Sequence, residues 1–414
     1  MISYALSDEH QELRQTVAAF ARDVVRPVIG GYYERAEFPY DLIARMAKLG
    51  LFGLPFPAEF GGMDGDLFAL GLALEELARV DSSVAITLEA AVALGAMPIY
   101  RFGTDAQRRR WLPELCSGER LAAFGLTEAG GGSDIPGGMR TTARLETGPG
   151  EPPGEQRGPG EQGGPGGQAG SREADGEWVI DGAKSFITNS GTAITSLITV
   201  LAISGGDPGG PREISSIVVP AGTPGLTVGH EYSKVGWCAS DTREVAFASC
   251  RVPGDHLLGG RGRGYAQFLQ ILDEGRIAIA ALAVGLAQGC VDECLRYTGE
   301  RAAFGHRLGH YQAIRFKIAD MEARTHCARL AWYDAAARLV AGEPVKRQAA
   351  IAKLIASNAA MDNAREATQI FGGYGFMNEF PVGRFYRDAK VLEIGEGTSE
   401  VQRMIIAREL GIPD

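Results

Sequence analysis

One carboxylate, Glu396, stands between Gly395 and Gly397 in the stretch RDAKVLEIGEGTSEVQR (Arg387–Arg403), with Thr398 and Ser399 just behind it. Flanking glycines let backbone approach a ligand closely and adopt φ values other residues avoid. An acid on such a turn, ahead of a Ser/Thr helix start, suits a base presented to a bound substrate. The same residues also describe a solvated loop acid before an ordinary N-cap. A second candidate is Leu126–Asp134, where Gly130, Gly131 and Gly132 precede Ser133. Backbone N–H groups there could wrap a phosphate, or the glycines could simply make a tight turn. It is not a GxGxxG between a strand and a helix, so a Rossmann site is not supported. In a third, Gly182–Asn189, Phe186 and Thr188 alternate with Ile187. On a strand they share a face. That face could carry a stacked heteroaromatic cofactor, or be a core Phe beside a surface Thr.

Metal chemistry is not expected. The six cysteines (Cys116, Cys238, Cys250, Cys290, Cys294, Cys327) form no CxxC pair, and the six histidines do not cluster in a zinc pattern. Cys290 and Cys294, one helical turn apart, read as small buried hydrophobes. His306 and His310 share a spacing of four, but Gly305 and Gly309 argue for a loop. A net charge of −10 argues against an extended nucleic-acid surface. The segment MISYALSDEH has neither a basic n-region nor an apolar h-region, so no signal peptide and a cytoplasmic location are expected. The longest apolar run, Ile277–Ala287, is too short to span a bilayer and reads as a buried core helix, with no membrane association.

The elements that must position these residues fall into three parts. With 414 residues, 45% hydrophobic and 22% charged, the chain has room for two or three globular domains. The first part, 1–118, is helical. Ser7 caps a helix striped by Leu13, Val17, Phe20 and Val24, which Pro27 ends. Leu42, Met46 and Leu49 mark a second helix with Gly50 as its C′ residue. Leu67, Leu70, Leu74 and Leu77 mark a third, and Thr104 to Gln107 is a capping box opening a fourth, closed by Gly118.

The second part, 119–255, has short β-branched or aromatic runs at Ala122–Leu126, Glu177–Ile180, Leu197–Ile203, Ile214–Val219 and Glu244–Phe247. Turn residues separate them, which predicts a small antiparallel β domain. Gly148–Arg172, rich in glycine and proline with almost nothing to bury, reads as a disordered loop inserted between two strands. The third part, 256–414, carries one proline, Pro344, between Gly264 and Phe380. That scarcity predicts long helices at about Tyr265–Arg301, Tyr311–Ala341 and Val345–Phe371. A shorter helix follows Pro381 and another runs from Thr398 to Leu410, together making a bundle.

Taken together, these segments closely resemble the acyl-CoA dehydrogenase family, of a bacterial, short- or branched-chain-like type, over nearly the whole chain. The family's TEP-GxGSD appears as Thr127–Asp134, its W-I-T-N as Phe186–Asn189 and its S-x-T-R as Ser240–Arg243. Its R-x-x-F-G and H-Q-A appear as Arg301–Gly305 and Tyr311–Ala313, its Q-I-x-G-G-x-G as Gln369–Gly375, and its R-D-A-K…EGT as Arg387–Thr398. The resemblance implies an α+β fold: an N-terminal helical domain, a middle antiparallel β domain and a C-terminal four-helix bundle.

What the resemblance further implies is an FAD enzyme that oxidises an acyl-CoA thioester to the trans-2-enoyl-CoA and passes electrons to an electron-transferring flavoprotein. Glu396 takes the base position. Some relatives carry the base on the long helix, one residue before the position of Arg276; that residue here is Gly275, which leaves Glu396. The base removes the α proton while the β hydride passes to flavin N5. Preorganised donors stabilise the developing enolate: the backbone N–H of the base and a ribityl hydroxyl. By the same resemblance Leu126, Thr127, Gly132, Ser133, Phe186, Thr188, Thr398 and Glu400 bind the cofactor. Arg301, Phe304, Gln312, Gln369, Gly372 and Gly373 match cofactor positions too, several of which reach the FAD of a neighbouring subunit, implying a homo-oligomer, a tetramer. Ser133, Ser240, Asp273, Arg276, Gly395 and Gly397 fall at substrate positions.

Departures from the family pattern are Phe186 for Trp, Ala129 for Pro, Ala303 for Thr, Tyr311 for His and Gly395 for Tyr. The acyl carrier could be CoA or a carrier-protein thioester. Competing expectations are an acyl-CoA oxidase using oxygen and a non-catalytic scaffold of the same fold.

Overall fold

The structure is a computed structural model that describes residues 6–147, 176–206 and 210–412. Gly148–Arg172, expected to be disordered, lies outside the described residues. The chain opens with helices α1 (Asp8–Phe20), α2 (Arg26–Arg35), α3 (Tyr40–Lys48), α4 (Leu67–Ala78), α5 (Ser82–Glu89), α6 (Met97–Phe102) and α7 (Asp105–Cys116). Ser7 caps α1 by accepting from the His10 amide at 3.2 Å. Gly50, with φ of 73°, follows α3 in the left-handed conformation, and the Thr104–Gln107 capping box forms at α7.

Pro27 does not end the first helix. A π turn, Ala21–Val25, carries α1 into α2, and Pro27 sits in the first turn of α2. Proline has no N–H and its ring collides with the carbonyl four residues back. Widening the preceding turn lets the chain continue through the proline rather than stop there. The same arrangement recurs farther on, where a π turn at Ala90–Ala96 joins α5 to α6, with Pro98 in the first turn of α6.

The sheet comprises β1 (Leu121–Gly125), β2 (Thr142–Glu146), β3 (Glu177–Thr188), β4 (Thr195–Gly206), β5 (Arg212–Pro220), β6 (Leu226–Glu231), β7 (Thr242–Pro253) and β8 (Leu257–Leu258). A one-turn helix, α8 (Ile135–Gly138), lies between β1 and β2. The order is β6-β7-β3-β2-β4-β5-β8, with β1 also on β4. Most pairs are antiparallel, but β1 and β2 each run parallel to β4. The pairing of β3 with β7 slips between Lys184 and Ile187, and Phe186 takes a φ of 63°. Phe186 therefore sits on a bulge rather than a plain pleat. It and Thr188 still open away from the buried Ile187.

The C-terminal helices are α9 (Gly264–Glu300), α10 (Gln312–Val340), α11 (Lys346–Phe371), α12 (Pro381–Leu392) and α13 (Ser399–Glu409). The run Ile277–Ala287 is the buried spine of α9. Two stretches, Ser82–Phe102 and Gly264–Glu300, are long and apolar enough to cross a membrane, yet 94% and 89% of their most apolar windows are buried inside the protein. The α9 and α4 backbones touch. A Cβ on Gly285 would lie 2.1 Å from the Glu75 carbonyl oxygen, and one on Gly289 would lie 2.3 Å from that of Arg79.

A single buried carboxylate ties the three parts together. Asp388 on α12 accepts from Tyr33 Oη, Ser82 Oγ and the Trp237 amide, each at 2.7 Å. Burial pushes Asp388 up to about 6, with the neighbouring Asp81 adding to the shift. This hub fixes α12, and with it the loop after α12 that carries Glu396.

Candidate active site

Glu396 lies between α12 and α13 on a backbone with φ of 52°, in the left-handed region. For a residue with a Cβ this conformation costs of order 1–3 kcal/mol and persists only where the surroundings enforce it. Several contacts do so. Gly395 N–H bonds the Val391 carbonyl at 2.8 Å, and Ser399 N–H bonds the Glu393 carbonyl at 3.0 Å. Lys353 Nζ and Gln402 Nε2 each donate to the Gly397 carbonyl at 2.8 Å. Thr398 caps α13 by accepting from the Val401 amide at 3.3 Å. Glu400, in the first turn of α13, is exposed. Among the described residues nothing accepts from the Glu396 amide N–H.

The carboxyl of Glu396 occupies the space above Gly275 of α9. A Cβ on Gly275 would lie 2.3 Å from Glu396 Oε2 and 3.1 Å from Leu94 Cδ2. A side chain at 275 and a carboxylate from 396 therefore compete for one volume. Burial is the largest influence on Glu396 and pushes it up to about 7, against lowering by the neighbouring Glu89 carboxyl and by the charges of Lys353 and Arg276. Lys353 is itself pushed down to about 8 by burial. Arg276 pairs with Asp273 one turn back on α9, and its Nε is buried without a partner among the described residues. Sequence reasoning missed Glu89 and Lys353. Both lie inside otherwise apolar helical stretches, and an ionisable residue buried in such a stretch is the signal that could have found them.

A second cluster adjoins the first. Glu128 accepts from the amides of Arg140 (2.7 Å) and Thr141 (3.1 Å) and from buried Lys184 Nζ (2.8 Å). Ser185 N–H bonds the Thr127 carbonyl at 2.8 Å. These bonds tie the Leu126–Ser133 loop to the Phe186–Thr188 bulge. The loop also reaches α9, because Leu126 packs with Phe268 and Leu272, one turn from Gly275. The bulge reaches α5, because Asn189 Nδ2 donates to the Thr87 carbonyl at 3.0 Å, two residues before Glu89. Phe186 is 65% exposed and lies 5.3 Å from the Tyr232 ring, with Thr127 and Thr188 half-buried on the same clusters. Gly132 and Ser133 are exposed. Ser240 is buried, its carbonyl accepting from Lys234 Nζ and its Oγ without a partner among the described residues.

A third group is not brought to Glu396. Arg301, Phe304, Gln312, Gln369, Gly372 and Gly373 gather, all exposed, where α9 ends, α10 begins and α11 ends. Arg301 stacks over the Tyr374 ring at 5.4 Å. Phe304 and Phe376 are 95% and 89% exposed. Arg301 lies far down α9 from Gly275, roughly 39 Å at 1.5 Å per residue. Among the described residues no group of His, Cys, Asp or Glu gathers as a metal set.

A three-part helix–sheet–helix chain, with a buried carboxyl at the junction of α5, α9 and the loop after α12, defines a class that comparison with known proteins identifies. Family models for acyl-CoA dehydrogenase match in three pieces: the N-terminal domain over residues 7–119, the middle domain over 164–250 and the C-terminal domain over 262–411. The chain belongs to the acyl-CoA dehydrogenase family and is an oxidoreductase acting on acyl-CoA. It is 41% identical to a probable acyl-CoA dehydrogenase, YngJ, of Bacillus subtilis (strain 168), covering 99% of this chain and 100% of that one. Among solved structures, it resembles butyryl-CoA dehydrogenase from Megasphaera elsdenii with a TM-score of 0.88 and 36% identity, over 99% and 100% of the two chains. A chain from the structure of the electron transferring flavoprotein of Acidaminococcus fermentans gives a TM-score of 0.88 and 34% identity, over 99% of each.

Proposed function

We propose that this protein carries out the FAD-dependent α,β-dehydrogenation of a short or branched acyl-CoA thioester, with Glu396 as the base. The observation that carries this is the buried Glu396 carboxyl, held on a strained turn above Gly275 and pushed up to about 7. A base poised near working pH is well matched to removing a carbon acid's proton. Its unengaged amide N–H is available to the thioester oxygen, where charge develops as that proton leaves.

The residues present fit an FAD. An open aromatic face at Phe186, with Thr127 and Thr188 beside it, suits a flat polar ring system, and the loop ending in Gly132 and Ser133 suits its phosphates. When bound, that group supplies the acceptor for the β hydride. Asp273 and Arg276 line the approach on α9, and Lys353 holds the Gly397 carbonyl and so the register of the base. The exposed group around Arg301 lies too far along α9 to serve the same cofactor. Its place is on the FAD of a neighbouring subunit, in a homotetramer. An electron-transferring flavoprotein is the acceptor we infer, supported by the similarity to a chain in such a structure.

A short or branched acyl preference follows from Gly395, where a Cβ would meet only the Val391 oxygen at 3.4 Å. Room is left beside the base for a branch methyl, worth roughly 1–3 kcal/mol in discrimination. The test is anaerobic flavin bleaching against butyryl-, isobutyryl-, 2-methylbutyryl- and octanoyl-CoA. Bleaching by the first three and weakly by octanoyl-CoA is expected, with Gly395→Tyr penalising the branched pair most. A clear preference for octanoyl-CoA would refute the preference, and no bleaching by any acyl-CoA would refute the activity.

A further inference from the structure

Glu89 ends α5 and is fully buried. Neither of its carboxyl oxygens has a donor among the described residues, and neither does Glu396 Oε2. The two carboxyls are nevertheless neighbours, each shifting the other's hold on its proton. Two carboxylates have only acceptors to offer each other, so as a doubly charged pair they would stay unpartnered in a dry site. With one proton between them, each gains a partner. The backbone supports this placement. Glu89 leads into the π turn Ala90–Ala96, and in such a turn residues five apart lie on one face. Leu94, five residues on, reaches the same point above Gly275 that Glu396 occupies.

We propose that Glu89 is a positioning residue for the proton abstraction: it keeps its proton and donates it as a hydrogen bond to the Glu396 carboxylate, holding that base over Gly275 with its second oxygen turned to the substrate. The inference rests on Glu396 being the base. The charges around the pair agree on which member keeps the proton. Lys353 on α11 and Arg276 on α9 both stabilise charge on Glu396, with Asp273, Glu393 and Glu400 farther out, whereas Glu89 meets no cation among the described residues and is raised well above the ordinary carboxylate value by burial and by Glu396. The arrangement makes the base weaker than burial alone would make it, and so keeps it ionised at neutral pH. No proton is consumed: the α proton goes to Glu396 while the Glu89 proton stays on Glu89.

The test compares Glu89→Gln, Glu89→Leu and Glu396→Gln in the FAD-loaded enzyme. The pH profile of single-turnover flavin reduction by saturating butyryl-CoA is read together with the infrared carbonyl band of un-ionised buried carboxyl. In Glu89→Leu the acid limb should move up by about one pH unit or more, as loss of a charge-assisted hydrogen bond implies. Its rate should fall roughly ten- to a hundredfold through loss of orientation, with butyryl-CoA affinity little changed. Glu89→Gln, whose amide also donates, should keep the limb near its original place. The unmodified enzyme should show the un-ionised band at pH 9, retained in Glu396→Gln and lost in Glu89→Gln. An acid limb that stays put or moves down in Glu89→Leu would overturn the proposal. So would absence of the band, which can be read even if the Leu variant does not fold. Fast flavin reduction by Glu396→Gln would instead remove the base assignment on which the proposal rests.

Discussion

At the residue scale, the chemistry depends on one carboxyl being hard to ionise but not too hard. As the proposed base, Glu396 acts only when deprotonated, so reduction of the flavin should be lost as pH falls through about 7 and should level off above it. The apparent value belongs to Glu396 and Glu89 as a pair. Stopped-flow bleaching between pH 5 and 9 reads it; a limb near the ordinary glutamate value would mean that the base is solvated. Glu396 stands out through the resemblance carried by Arg387–Thr398, because an acid between two glycines before a helix cap equally describes a solvated loop acid. Glu89 and Lys353 carry only a weak mark, an ionisable side chain inside an apolar helical stretch, and it is the packing of α5 and α11 against the Glu396 loop that gives them a role. The Phe186 bulge was likewise hidden, because a slip in strand register belongs to the β3–β7 pair and not to either strand alone.

At the scale of elements, the long helices were readable to within a residue or so, because an almost proline-free stretch with a continuous apolar face has few alternatives. Pro27 misled because the penalty of proline can be absorbed by a π turn, which leaves no local mark in the sequence. Strands β2 and β6 were missed because they are short and only partly buried and β8 because it is two residues long, and the parallel joining of β1 and β2 to β4 depends on pairing between distant segments. What fixes the elements to one another is the Asp388 hub. Asp388→Asn offers one acceptor oxygen and two donors to a site that presents three donors. It should cost about 1–3 kcal/mol for each group left unpaired. It should also slow flavin reduction, by loosening the loop after α12. Denaturant titration alongside single-turnover kinetics tests this; unchanged stability would show that the three donors find other partners.

At the scale of the whole molecule, the residues matching cofactor positions divide into two sets that one chain keeps apart. Arg301, Gln369 and the exposed aromatics beside them stand at the far end of α9 from Gly275. An exposed apolar cluster of this kind on a stable fold calls for a covering partner. In the proposed assembly Arg301→Ala or Gln369→Ala should lower FAD occupancy and weaken the oligomer together, since a cofactor shared across an interface stabilises the assembly it bridges. Size-exclusion chromatography with flavin quantitation reads both. A stable monomer with full FAD would contradict the division.

Whether Glu396 removes the substrate's α proton is tested most directly by anaerobic single-turnover reduction of the flavin in Glu396→Gln by butyryl-CoA. The substitution removes the base while keeping size and hydrogen bonding. The variant should retain FAD and bind the thioester, and its rate of bleaching should fall by ~10²–10⁴. Bleaching at close to the unmodified rate would contradict the account and place the base elsewhere.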